Sequence, residues 1–136
     1  NPGHIKRKVI DDWVRNGCVE YLGELDEVRD VIAAADVVVL PSYYREGVPK
    51  SLLEALAMGK AIITTDTPGC RETVLDKVNG ILIPPRDAEA LTTAIRFMLT
   101  HPEERLAMGR AGRHIAVERF DVKNVNSAIL GAMNIL

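Results

Sequence analysis

The chain has 136 residues, 47% of them apolar but only 4% aromatic, and its 17 Lys and Arg against 19 Asp and Glu leave a net charge of −2. That length suits one domain with a core of its own, and the nearly balanced charge excludes a general attraction to nucleic acid. No run approaches the roughly 20 apolar residues that span a bilayer, no signal peptide is visible, and two isolated thiols, Cys18 and Cys70, fit a reducing cytoplasm better than a disulfide framework.

Residues 1–3, Asn-Pro-Gly, read as a loop, and 5–16 as a helix with Ile5, Val9, Ile10 and Trp13 on one face. Gly17 is placed to end it. Residues 19–22 read as a short strand stopped by Gly23. A helix is expected over 27–35 with Asp26 as its N-cap, followed by Asp36 and a buried strand, VVVL, at 37–40. A helix over 49–58 ends at Gly59, and a second buried strand runs over 61–65. After Thr67-Pro68-Gly69 a short helix reaches about residue 75, with Glu72 placed to cap the free N–H groups at its own start. Residues 76–80 turn the chain into a strand at 81–83. Beyond Pro84-Pro85 a helix begins at Asp87 with Ala88, Leu91, Ile95, Met98 and Leu99 along one face. His101-Pro102 breaks it, Pro102 starts another helix to about residue 119, and a last one covers about 122–135. Strands alternating with helices, and apolar residues dominated by Ala, Val, Ile and Leu, predict an α/β fold. It is a Rossmann-like parallel sheet flanked by helices, in one domain covering 1–136.

The segment 41–72, PSYYREGVPKSLLEALAMGKAIITTDTPGCRE, carries the functional information. It follows a strand and opens a helix, so its polar groups gather at the strand's carboxyl end, where open parallel sheets bind ligands. Gly47 permits a backbone conformation closed to other residues, and Pro49 suits a first helical position. The N–H groups of Lys50, Ser51 and Leu52 then lack intrahelical partners and, with the helix dipole, form an anion site suited to phosphate. Glu54 lies roughly 7 Å further along the axis at ~1.5 Å per residue. There it can accept hydrogen bonds from sugar or ribose hydroxyls, as Glu46 can on the other flank. Two hydroxyl acceptors around one phosphate-binding helix start describe a nucleotide-sugar site. An ordinary loop with a helix-initiating Pro and a dipole-compensating Glu has the same look. His4, His101 and His114 have no ligand-like spacing with either Cys, so no metal site is expected.

The pattern resembles the retaining glycosyltransferases of family 4, which have the GT-B fold. Glu46-Gly47-Val48-Pro49 through Glu54-Ala55 is similar to their E-x7-E motif. Ala57-Met58-Gly59-Lys60-Ala61-Ile62-Ile63, Pro68-Gly69-Cys70-Arg71-Glu72 and the run from Asn79 to Asp87 are similar to the segments that follow it. The resemblance implies that Glu46 approaches the transferred sugar and acts in catalysis, and that Glu54 binds the ribose. Gly47, Val48 and Pro49 would offer backbone to the sugar, and Lys50, Ser51 and Leu52 N–H groups to the diphosphate. Residues 19–22 match the segment whose backbone contacts the base, although a plain core strand fits equally well. Arg45 could meet a phosphate or stay solvated, Tyr43 and Tyr44 could stack on sugar or pack under the loop, and Arg71 is ambiguous.

The implied activity is transfer of a hexose or N-acetylhexosamine from a nucleotide diphosphate sugar, UDP-linked by preference, to a glycan or lipid-linked acceptor. No metal or other cofactor is implied. Within the family the pattern resembles enzymes that build repeat units on polyprenyl diphosphate carriers at the inner membrane face, which implies a cytoplasmic place and peripheral membrane association. The family's Arg–Lys pair on the diphosphate and its N-terminal acceptor domain have no counterpart here. The sequence therefore reads as the later two-thirds of a donor-binding domain, lacking its first two strands. Alone it is expected to be inactive, and to pair 19–22 against 37–40, swap elements with a second copy, or borrow strands from a partner. The alternatives are a non-catalytic nucleotide-sugar-binding subunit that needs a partner chain, and a GT-B epimerase, for which the acid and base groups are not found.

Overall fold

The computed structural model describes residues 6–42 and 47–119. Three parallel strands, β1 (Val37–Leu40), β2 (Ala61–Thr65) and β3 (Gly80–Ile83), form one sheet in the order β1-β2-β3. Around it lie α1 (Arg7–Arg15), α2 (Arg29–Ala34), α3 (Lys50–Ala57), a 3-10 turn (Cys70–Thr73), α4 (Ala88–Thr100) and α5 (Pro102–Arg119). The expected α/β architecture is the observed one.

Alternation along the strands sorts the core into two layers, because successive side chains point to opposite faces. Val38, Leu40, Ile62 and Leu82 pack with Leu52, Ala55 and Leu56 of α3 and with Cys70 and Val74. Val37, Val39, Ala61, Ile63, Ile81 and Ile83 pack with Ala94, Met98 and Phe97 of α4 and with Met108. Helix α5 contributes to both layers, Met108 to one and Ala116 to the other. It crosses beneath the amino ends of the strands, where a Cβ on Gly109 would stand 2.1 Å from the Gly59 carbonyl oxygen. Gly59 itself, at φ +71, ends α3 in a Schellman turn: Lys60 N–H donates to Ala55 and Gly59 N–H to Leu56. Lys60 Nζ then donates to the Ala33 carbonyl at 3.0 Å and ties this turn to the end of α2. With the amino ends of β2 and β3 covered by α5, the carboxyl edge is where chemistry can be placed.

Several expectations are corrected. Residues 19–25 form no strand: Val19, Tyr21 and Leu22 are exposed between two left-handed glycines, Gly17 and Gly23. The residues so confined find no neighbouring ladder among the described residues, so 19–22 does not pair against β1. Helix α1 buries none of its residues, and Trp13 is 40% exposed. β1 is half-buried instead of buried, because it is an edge strand with one pairing partner among the described residues. Val28, not Asp26, occupies the N-cap of α2. Glu72 does not cap its own turn; its half-exposed carboxylate lies 3.9 Å from Arg119. On α4 the apolar stripe is narrower than its spacing suggests: Ala94 and Met98 are buried, while Leu99 is 68% exposed. Asp87 does cap α4, accepting from Ala90 N–H at 2.9 Å. The helix expected over 122–135 lies outside the described residues.

Candidate functional site

The parallel register brings Leu40, Thr65 and Ile83, and the loops that follow them, to one edge. Threonine hydroxyls join the first two loops. Thr64 Oγ1 donates to the Leu40 carbonyl at 2.7 Å, Thr65 Oγ1 donates to the Ser42 carbonyl, and Thr65 and Thr67 share a 3.0 Å hydroxyl contact. Arg71 pairs locally: its Nε meets Asp66 Oδ1 at 3.0 Å and its Nη2 donates to the Asp66 carbonyl at 3.3 Å.

Helix α3 begins without a side-chain cap among the described residues. Its N-cap is Pro49 at φ −65, ψ 131, with no side-chain cap and no acidic residue in the first turn. Pro49 thus stands one position earlier than expected. Its carbonyl accepts from both Leu52 N–H (3.1 Å) and Leu53 N–H (3.2 Å). That tightening of the first turn corrects the expectation for Leu52, whose N–H is occupied. Lys50 and Ser51 remain as first-turn donors without a backbone acceptor among the described residues. Gly47 is exposed, with no described atom beyond its chain neighbours within 4 Å of the place a Cβ would take. Val48 beside it is also exposed.

Glu54 sits one turn in, its side chain 6% exposed. Lys50 Nζ, on a side chain 73% exposed, stands 3.9 Å from Oε1, a loose pair at the limit of an ion-pair distance. Oε2 is buried and has no hydrogen-bond partner among the described residues. An unpartnered buried carboxylate oxygen costs about 1–3 kcal/mol or more, so the position favours a ligand that donates a hydrogen bond there. Glu46, with Tyr43, Tyr44 and Arg45, lies outside the described residues.

Sequence reading missed a second group of charges beside this turn. Arg29, at the start of α2, donates to Glu27 from Nε at 2.9 Å, from Nη2, and from its backbone N–H at 2.8 Å. These bonds, the side-chain one foremost, hold the Glu27 carboxyl well below the usual carboxylate range, at about 2, with Lys50 adding a weaker attraction. Arg29 is raised from its ordinary value chiefly by the Glu27 hydrogen bond, and further by the charges of Glu27, Glu54 and Asp30. The E-x-R spacing was visible in the sequence; that Arg29 closes back on Glu27 at the start of α2 was not. On the opposite face of the same edge, a cleft of about 310 Å³ is lined by Pro41, Thr65, Ile83, Arg86, Asp87 and Leu91, among others. Among the described residues no three His, Cys, Asp or Glu side chains converge, and no helix is long and apolar enough to cross a membrane.

Comparison with known proteins bears on this edge. Residues 2–101 match the family described as glycosyl transferases group 1. The N,N'-diacetylbacillosaminyl-diphospho-undecaprenol α-1,3-N-acetylgalactosaminyltransferase of Campylobacter jejuni is 33% identical over 107 residues, which is 79% of this chain and 28% of that protein. A GDP-mannose-dependent α-(1-6)-phosphatidylinositol monomannoside mannosyltransferase of Mycolicibacterium smegmatis is 37% identical over 94 residues, 65% of this chain and 25% of its own length. The crystal structure of Anabaena Alr3699/HepE in complex with UDP superposes with a TM-score of 0.78 at 26% identity, over 96% of this chain and 36% of that one. The chain thus spans about a quarter to a third of the length of these proteins. Its parallel sheet is that of the GT-B glycosyltransferases, and by the family match over residues 2–101 the chain belongs to the group 1 glycosyl transferases.

Proposed function

We propose that this chain is the donor-binding part of a retaining glycosyltransferase of family 4. It would move a hexose or N-acetylhexosamine from a nucleotide diphosphate sugar, UDP-linked by preference, to a lipid-linked or glycan acceptor. The observation that carries the reading is the buried, unpartnered Oε2 of Glu54, one turn inside a helix whose start has no side-chain cap among the described residues. A diphosphate at the start of α3 meets the Lys50 and Ser51 N–H groups and the Lys50 ammonium. A ribose hydroxyl one turn deeper donates to Glu54. Glu46 acts on the sugar, with Gly47, Val48 and Pro49 as the backbone beside it, and the leaving diphosphate is stabilised electrostatically. That chemistry calls for no protein nucleophile and no metal. Relatives that act on lipid-linked acceptors support the acceptor class, with catalysis on the cytoplasmic side at the membrane face. A partner domain supplies the acceptor surface.

Titration of the full-length protein with UDP and GDP tests the reading. Glu54→Ala should weaken nucleotide binding by about 1–3 kcal/mol, the usual cost of leaving polar groups unpaired. Unchanged affinity for both nucleotides would remove Glu54 from the site. Glu46→Gln should lower turnover far more than UDP affinity; near wild-type turnover would remove Glu46 from the sugar.

A further inference from the structure

The central strand β2 is buried along its whole length, yet its last two residues carry hydroxyls: Thr64 is 0% exposed and Thr65 1%. A buried hydroxyl is costly unless it is hydrogen-bonded, and successive residues of a strand point to opposite faces. The two threonines meet that requirement differently. Thr64 Oγ1 donates to the carbonyl of Leu40, its register partner, and so stays within the ladder. Thr65 Oγ1 reaches past it. The pairing of β1 with β2 stops at Leu40, Pro41 brings no N–H, and beyond it the Ser42 carbonyl accepts from Thr65. A hydroxyl has one proton to give. Since that of Thr65 goes to a carbonyl, which only accepts, its 3.0 Å contact with Thr67 runs the other way, and Thr67 is the donor. Thr67 is itself seated by its backbone: its N–H donates to the Thr65 carbonyl at 2.9 Å, and its carbonyl accepts from Arg71 N–H at 2.9 Å. A directed relay, Thr67 to Thr65 to Ser42, therefore ends where the chain leaves β1 for the loop before α3.

We propose that Thr65 is a positioning residue for sugar transfer: its hydroxyl holds the Ser42 carbonyl and so sets the point from which the loop toward Glu46 departs. Helix α3 does not need the relay. It is anchored by Leu52, Ala55 and Leu56, all 0% exposed, and its first turn closes on the Pro49 carbonyl. The two ends of the loop are thus held by different means among the described residues, the far end by apolar packing and the near end by one hydroxyl. Loss of that hydroxyl acts on what the loop presents to the sugar and leaves the nucleotide contacts of α3 in place. The proposal rests on the reading of Glu46 as the residue that acts on the sugar.

Steady-state kinetics, UDP titration and trypsin digestion of the full-length protein test it, the last read as cleavage after Arg45. Thr65→Val, which keeps the shape and removes the hydroxyl, should lower kcat about tenfold or more while UDP affinity changes less than about twofold. Cleavage after Arg45 should quicken about fivefold or more. Thr65→Ser should restore both. Thr67→Val, which spares the bond to Ser42 but strips the donor behind it, should move both in the same direction by less, and it carries the test if Thr65→Val does not fold. Thr64→Val is the control, because it loses a buried hydrogen bond of the same kind inside the ladder. Equal losses of kcat and equal digestion in Thr64→Val and Thr65→Val would overturn the proposal, as would an unchanged kcat in Thr65→Val where Glu46→Gln is impaired. Should Glu46→Gln itself turn over normally, the role of Glu46 is what fails, and digestion alone then decides the tether. Faster cleavage in Thr65→Val than in Thr65→Ser supports it; equal cleavage overturns it.

Discussion

Gly109 and Gly59 meet backbone to backbone, and that contact leaves no room for a side chain. A methyl at Gly109 would lie 2.1 Å from the Gly59 oxygen, with backbone and not a yielding side chain on the other side. Gly109→Ala should therefore destabilise by about 1–3 kcal/mol, the usual range for overpacking, read by urea denaturation. A loss below about 0.5 kcal/mol, outside that range, would mean that α5 moves aside freely. Asn79 is the other residue on which the amino edge depends. Fully buried, it accepts from Leu75 N–H at 2.7 Å and donates to the Thr73 carbonyl at 2.9 Å. Asn79→Ala leaves both groups unpartnered and should cost about 2 kcal/mol or more, measured the same way. Neither role was legible in sequence. Gly109 looked like any helical glycine, and Asn79 belonged to a motif whose physical content, a buried amide closing a loop, appears only when residues 73–80 fold back on themselves. Glu54 was legible, since its distance from Pro49 along the helix axis follows from the spacing of the two residues alone.

Between elements, the junction of α2 and α3 makes a prediction about acid. Glu27 titrates at about 2 in the folded chain against 4.5 for a free glutamate, through its hydrogen bonds from Arg29. A folded value below the unfolded one means that the unfolded chain binds the proton first. The stabilising contribution is thus complete above pH 4.5 and is lost as pH falls toward 2. Because the carboxylate is solvent-facing, salt should weaken the effect. Unfolding midpoints measured from about pH 6 to about pH 2 should fall less steeply in Glu27→Gln than in the wild type; parallel curves would show that the pair contributes nothing. Elements with a local signature were legible: Pro49 before α3, Gly59 after it, Asp87 capping α4 and Pro102 opening α5. The segment 19–22 shows the limit, because an apolar tetrapeptide is a strand only if another strand lies beside it. Helix α1 shows it too: its amphipathic spacing is real, but spacing does not say what covers the apolar side.

At the scale of the molecule, β1 presents an edge with no second partner among the described residues, and the segment before it exposes Val9, Trp13, Val14, Tyr21 and Leu22. Open apolar edges recruit strands. The 136-residue chain on its own should therefore self-associate with rising concentration by light scattering, and it should transfer no sugar, whereas the full-length enzyme stays discrete. A monodisperse monomer at high concentration would show that the edge is protected by the chain itself, and measurable sugar transfer by it would overturn the second expectation. The class of the fold was legible because alternation and length are whole-chain properties, and the open edge of β1 was legible only through the strands that the resemblance implied were missing, since burial on an edge depends on what pairs with it. The crossing of α5 beneath the strands has a consequence for synthesis. Every strand leaves the ribosome before the helix that covers the amino ends of β2 and β3, so the Gly59–Gly109 contact closes only after nearly all of the described chain has emerged. Until then the nascent sheet has its amino ends bare. The core is thus finished last at the amino ends of β2 and β3, and the interval before α5 leaves the ribosome is when chaperone demand is greatest.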